Sequence, residues 1–133
     1  MVDKPRKAPR SDFQQGDNPM SNKDHLHLLW TSDNKITAEK MILMYSTNSM
    51  RRGWWKKVTV IIWGAPAQLV SEDVEILEKI EEAKAEGVHF SACRACADQL
   101  EVTDKLEKMG IEVIYWGEPL TTLLKEQMPL VTV

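Results

Sequence analysis

The sequence predicts an α/β domain organised around a mostly parallel sheet. Two observations carry that expectation: four short apolar, β-branched runs recur along the chain, and stretches of helical periodicity separate them. Strands that alternate with helices assemble as βαβ units, whose strands run parallel and whose helices cover the sheet.

Residues 1–24, MVDKPRKAPRSDFQQGDNPMSNKD, are rich in Pro, Ser, Asn, Asp and Gln and offer almost nothing to bury. They read as a flexible tail ahead of a domain at 25–133. HLHLLW, 25–30, is the first strand. The stretch 36–49 sets Ala38, Met41, Ile42 and Tyr45 on one helical face, with Asp33 or Asn34 placed to cap it. KVTVIIW, 57–63, is nearly all apolar, as a strand buried on both faces requires. The clearest helix is 71–87. Ser71 suits its N-cap, Glu72 and Asp73 its positive end, Val74, Leu77 and Ile80 repeat at helical spacing, and Gly87 stops it. VHFSA, 88–92, is the third strand. A helix at 103–109 stops at Gly110, and IEVIYW, 111–116, is the fourth strand. A last helix at 118–127 carries Pro119 in its first turn, and the terminal LVTV can serve as a fifth strand.

With 133 residues, 43% of them apolar and 28% charged, the chain has one domain's length and a globular composition. A net charge of −3 argues against a dedicated nucleic-acid or anionic-membrane surface. No apolar run approaches the ~20 residues that span a bilayer. The basic start (Lys4, Arg6, Lys7, Arg10) is not followed by the apolar stretch of a secretory signal. Two cysteines make no disulfide framework, so a reducing cytoplasm is expected.

Three strands finish with tryptophan and a small residue: Trp30-Thr31, Trp63-Gly64 and Trp116-Gly117. The third strand finishes at Cys93, followed by Arg94. In a parallel sheet these ends share one edge, and open α/β sheets bind their ligands outside that edge. Trp30, Thr31, Trp63, Gly64, Arg94, Trp116 and Gly117 are therefore candidate pocket residues, although each tryptophan alone would equally serve to cover a sheet end.

Both cysteines lie in ACRACADQL, three positions apart. A zinc site needs more ligands than His25, His27 and His89 can bring to that edge, so no metal site is expected. A thioredoxin-like dithiol fits the spacing, but the pair follows the third strand and encloses Arg94-Ala95. A single reactive thiol also fits, with Cys93 at the strand end facing free N–H groups and Cys96 packed inside the turn. So do two buried, inert thiols.

The segments RGWWKKVTVIIWGAPAQLV, ACRACADQL and MGIEVIYWGEPLTTLLKE resemble the DsrE/DsrF-like family of DsrEFH and TusD-related proteins, most of all a subgroup of small DsrE-like proteins. The resemblance runs from Leu26 to Val133. It implies a three-layer α/β/α domain with a five-stranded parallel sheet, assembled as a homo-oligomer, commonly a trimer or hexamer. It also implies a sulfur-handling function in which Cys93 carries a persulfide between a donor and an acceptor protein. Cys96 would then resolve the persulfide or trap Cys93 as a disulfide. No cofactor follows from the resemblance. This chain departs from the relay members in having the second cysteine, and it has Glu101 where related sequences tend to have Gly. The alternative is a non-catalytic ligand-binding or assembly module, or a Cys93/Cys96 redox protein.

Deleting residues 1–24 is expected to leave the thermal melt within a few degrees of the full chain, because that segment has little apolar surface to offset its ordering entropy. A larger drop in the melting temperature would show that it packs on the domain.

Overall fold

Five strands form one sheet, and every neighbouring pair in it is parallel. They are β1 (His25–Trp30), β2 (Lys57–Ile62), β3 (His89–Cys93), β4 (Glu112–Ile114) and β5 (Leu130–Thr132), in the spatial order β4-β3-β2-β1-β5. The structure, a computed structural model, describes residues 22–133. Of the expected tail, residues 1–21 lie outside the described residues. Asn22–Asp24 form a 3₁₀ turn leading into β1, and the Asp24 carbonyl accepts the Lys56 N–H at 3.1 Å.

A single helical rod, α1, follows β1. It comprises an α-helical start (Lys35–Thr37), a π-helical stretch (Ala38–Leu43) and an α-helical end (Met44–Arg51). Asn34 caps it by accepting the Thr37 N–H at 2.8 Å. The i→i+5 pattern stacks Ala38 beneath both Ile42 and Leu43, so Leu43 joins the expected apolar face and is buried with them.

The sequence reading of 71–87 as one helix needs correction. Two helices occupy this region, α2 (Pro66–Glu72) and α3 (Val74–Ala85), joined at Asp73 in an extended conformation. Asp73, not Ser71, is the cap of the longer helix, accepting the Ile76 N–H at 3.0 Å. The register moves accordingly. Ile76, Ile80 and Ala83 are buried, and Val74 is 67% exposed. Lys35 ties the junction to the start of α1 through ion pairs with Asp73 at 3.1 Å and with Glu75. Beyond β3 come α4 (Arg94–Gln99) and α5 (Thr103–Lys108), and α6 (Gly117–Lys125) joins β4 to β5.

Alternation along the strands divides the side chains between the two faces of the sheet. Leu26, Leu28 and Trp30, Val58, Val60 and Ile62, Phe90 and Ala92, and Val113 belong to one large core shared with α1 to α5. Ile61, Cys93 and Trp116 form a second, smaller cluster with Leu29 and Ile114, and Leu120 and Leu123 of α6 pack against it. The chain steps from β1 to β4 in one direction across the sheet and then returns to the far side of β1. Right-handed crossovers place the helices of the outward steps on one face and that of the return step on the other. The result is a three-layer α/β/α domain with unequal outer layers. No helix among the described residues is long and apolar enough to cross a membrane.

Helix α4 ends with two reciprocal hydrogen bonds, Val102 N–H to the Ala97 carbonyl at 2.9 Å and Glu101 N–H to the Asp98 carbonyl at 3.1 Å. That closure needs a left-handed residue, and Glu101 supplies it at φ 61. Gly87 and Gly110 fill the equivalent positions after α3 and α5 with no Cβ to oppose them. Replacing Glu101 with Gly should therefore stabilise the fold by about 0.5–1 kcal/mol, the left-handed penalty less the extra freedom of an unfolded glycine. Urea denaturation of the E101G variant checks this. An unchanged or lower midpoint would show that the Glu101 side chain contributes more than its backbone costs.

Candidate functional site

The two cysteines come together at the carboxyl edge of the sheet. Cys93 is the last residue of β3 and the N-cap of α4, but its side chain makes no capping hydrogen bond. Strand parity turns it towards the smaller core, where it is 4% exposed beside Ile61 and Trp116. Cys96, one turn into α4, is half-buried and packs against the rim of the same cluster. Both are free thiols.

The sequence expectation made Cys96 the packed thiol and had Cys93 face the free N–H groups of the following turn; instead Cys93 is the more buried of the two. Cys93 faces the layer that α6 covers, whereas Cys96 lies beyond the strand end at the margin of that layer. Burial pushes the Cys96 thiol above its ordinary range, and the neighbouring Cys93 adds to the shift. The nearby Gly64 backbone opposes the shift, because its N–H favours the thiolate. Gly64, at φ 84, follows Trp63 just beyond the end of β2.

The remaining sequence candidates separate into two groups. Trp63 packs against the thiol cluster, Trp116 is part of it, and the Gly64 backbone acts on the Cys96 thiol by favouring its ionised form. Trp116 is anchored by its indole N–H, which donates to the buried Ser91 Oγ at 2.7 Å. Trp30 lies elsewhere. It is 0% exposed in the large core on the opposite face, its Nε1 donating to the Ser32 carbonyl at 2.8 Å. It shares an edge with Cys93 but has the other parity, so it does not line the same space. Thr31 is exposed and binds the Val133 carbonyl through both its backbone N–H (2.7 Å) and its Oγ1 (2.9 Å). Arg94 directs its guanidinium at the Val113 carbonyl (2.9 Å) and Glu107 (3.2 Å). Gly117 begins α6 and is exposed. Sequence reasoning missed Ser91, Ile61, Leu120 and Leu123. The first two could have been found by stepping back two residues from Cys93 and across to β2.

The three histidines lie at the opposite end of the sheet, on the same face as the thiols. His25 and His27 pack with ring centroids 3.9 Å apart, and His25 Nε2 lies 2.8 Å from Thr59 Oγ1. Desolvation, reinforced by His27, Lys57 and His89, pushes His25 down to about 4. His27 is also lowered, mainly by desolvation. The sequence reading of all three as strand-end or surface residues fails for His27, which is buried with Nδ1 unpartnered. His89 pairs with Glu112 at 3.2 Å. Among the described residues no group of three or more His, Cys, Asp or Glu could hold a metal ion.

Accessibility and acidity together set the order in which the thiols react. Iodoacetamide should label Cys96 before Cys93 in the native protein. The Cys96 rate should go on rising with pH past the ordinary thiol value of about 8.5, because a raised pKa leaves less thiolate at neutrality. Site-resolved mass spectrometry between pH 6 and about 10 measures both properties. Earlier labelling of Cys93, or a Cys96 rate that levels off below pH ~8.5, would contradict this geometry.

No family model matches the chain, and no curated protein matches it. Among solved structures it is similar to the conserved protein of unknown function BT1422 from Bacteroides thetaiotaomicron, with 40% sequence identity and a TM-score of 0.84. The match covers 87% of this chain and 100% of that one. At that identity and coverage, the chain belongs to the same protein family as BT1422.

Proposed function

We propose that the protein handles sulfane sulfur at the Cys93–Cys96 pair, taking a sulfur atom up as a cysteine persulfide in the cytoplasm. The supporting observation is that two free thiols three positions apart share one apolar cluster at the carboxyl edge of the sheet, Cys96 partly exposed and Cys93 enclosed with Ile61 and Trp116. The resemblance to the DsrE/DsrF-like proteins favours the same chemistry.

The chemistry begins at Cys96, the thiol that a donor can reach. Its thiolate attacks the terminal sulfur of a donor persulfide, R–S–SH. A bond forms between Cys96 Sγ and that sulfur, the donor S–S bond breaks, and R–S⁻ leaves. The apolar wall of Trp63, Leu120 and Leu123 restricts water around the loaded sulfur. Tyr115 and Leu124 are 66% and 57% exposed and offer apolar area for a donor or acceptor protein, or for another copy of the chain in a homo-oligomer.

Mixing the reduced protein with glutathione persulfide should release about one equivalent of glutathione per chain, as expected for a single exchange. A doubly substituted C93S/C96S protein should release none above background. Equal release from both proteins, or none from either, would remove the basis for this reading.

A further inference from the structure

The fate of the loaded sulfur depends on the second thiol, and the argument rests on the sulfur-uptake reading above. We infer that the Cys93–Cys96 pair discharges its sulfur as hydrogen sulfide by closing an internal disulfide, so that the site reduces low-molecular-weight persulfides rather than merely holding their sulfur.

The geometry supplies what this step needs. Cys93 caps the helix whose first turn carries Cys96, and Cys96 packs against the cluster that holds Cys93, so a thiolate at Cys93 has the sulfur it would attack close beside it. A spacing of three residues across a helical turn keeps the two backbones within the ~4.4–6.8 Å that a disulfide spans. Cys93 is also enclosed, with 4% of its surface exposed. An external persulfide therefore meets Cys96 first, and the sulfur that Cys93 meets is the one already bonded to Cys96.

Cys93 has two possible targets in a Cys96 persulfide. Attack on the outer sulfur would expel the Cys96 thiolate, and attack on the inner sulfur would expel HS⁻. Outer attack only moves the sulfur from one cysteine to the other and is as readily reversed. Inner attack releases HS⁻, which diffuses away and drains the pair towards the disulfide. In it the Cys93–Cys96 bond forms, the Cys96–sulfur bond breaks, and the pair of electrons leaves on HS⁻. The sulfane sulfur is reduced to sulfide while the two thiolates are oxidised to one disulfide, and both thiol protons have gone to solvent. A monothiol or dithiol reductant of the low-molecular-weight class then restores the pair by ordinary exchange.

The test uses the reduced full chain and one equivalent of glutathione persulfide without oxygen. The wild type should release about one equivalent each of glutathione and sulfide and finish about 2 Da lighter, as a disulfide. The C93S variant should stop at the Cys96 persulfide, about 32 Da heavier, with sulfide at background level. If serine is not tolerated in the apolar cluster, C93A replaces it. The C96S variant should react at least tenfold more slowly than wild type, because Cys93 is enclosed. A wild type that keeps the added sulfur and releases no sulfide would overturn this inference and leave uptake standing. A glutathione adduct on C93S would overturn it too, by showing that the donor is attacked at its inner sulfur. Failure to release glutathione at all would end both readings.

Discussion

The direction in which the chain crosses the sheet decides most of what this domain can do. Three successive steps carry it from β1 to β4, and their helices stack on one face. The fourth step reverses, and right-handed crossover then places α6 alone on the other face. A single helix of nine residues cannot cover five strands. The second face is therefore split. Its carboxyl half is an apolar cluster under Leu120 and Leu123, and its amino half carries His25, His27, Thr59 and His89. The two thiols lie at the carboxyl edge of that apolar half.

Strand parity then sorts residues that sequence position alone would group. Trp30 and Cys93 both close strands at the same edge, yet one belongs to the large core and the other to the small one. Ser91, two residues before Cys93, shares its face and fixes Trp116 through a buried hydrogen bond. Removing either partner would leave a buried polar atom without its bond, a loss of about 1–3 kcal/mol in proteins generally. The wall of the thiol cluster is thus held by a polar contact inside apolar surroundings. That gives Trp116 one orientation where packing alone would accept several.

Much of the fold was legible because its signals are local. The four main strands, the caps and stops at Asn34, Gly87 and Gly110, and the parallel sheet all follow from alternation, β-branching and glycine placement. The misread element was the pair α2 and α3. Ser71 and Asp73 both carry good capping side chains two residues apart, and only tertiary register decides between them. At the thiols, sequence gave the edge but not the depth. The covering of Cys93 comes from Leu120 and Leu123, about thirty positions away, through a connection whose face depends on strand order. His27 was misjudged for the same reason: its burial is a property of the assembled face, not of its neighbours along β1.

Helix α6 has no fully buried side chain, although it covers one of the two cysteines. Segments with few buried contacts open with free energies well below that of global unfolding, often as independent cooperative units. Cys93 is thereby shielded by a helix with no buried side chain of its own. Labelling of Cys93 by an external reagent would therefore report on the local opening of α6, and a molecule bound to the exposed side of that helix would change the labelling rate without touching either sulfur.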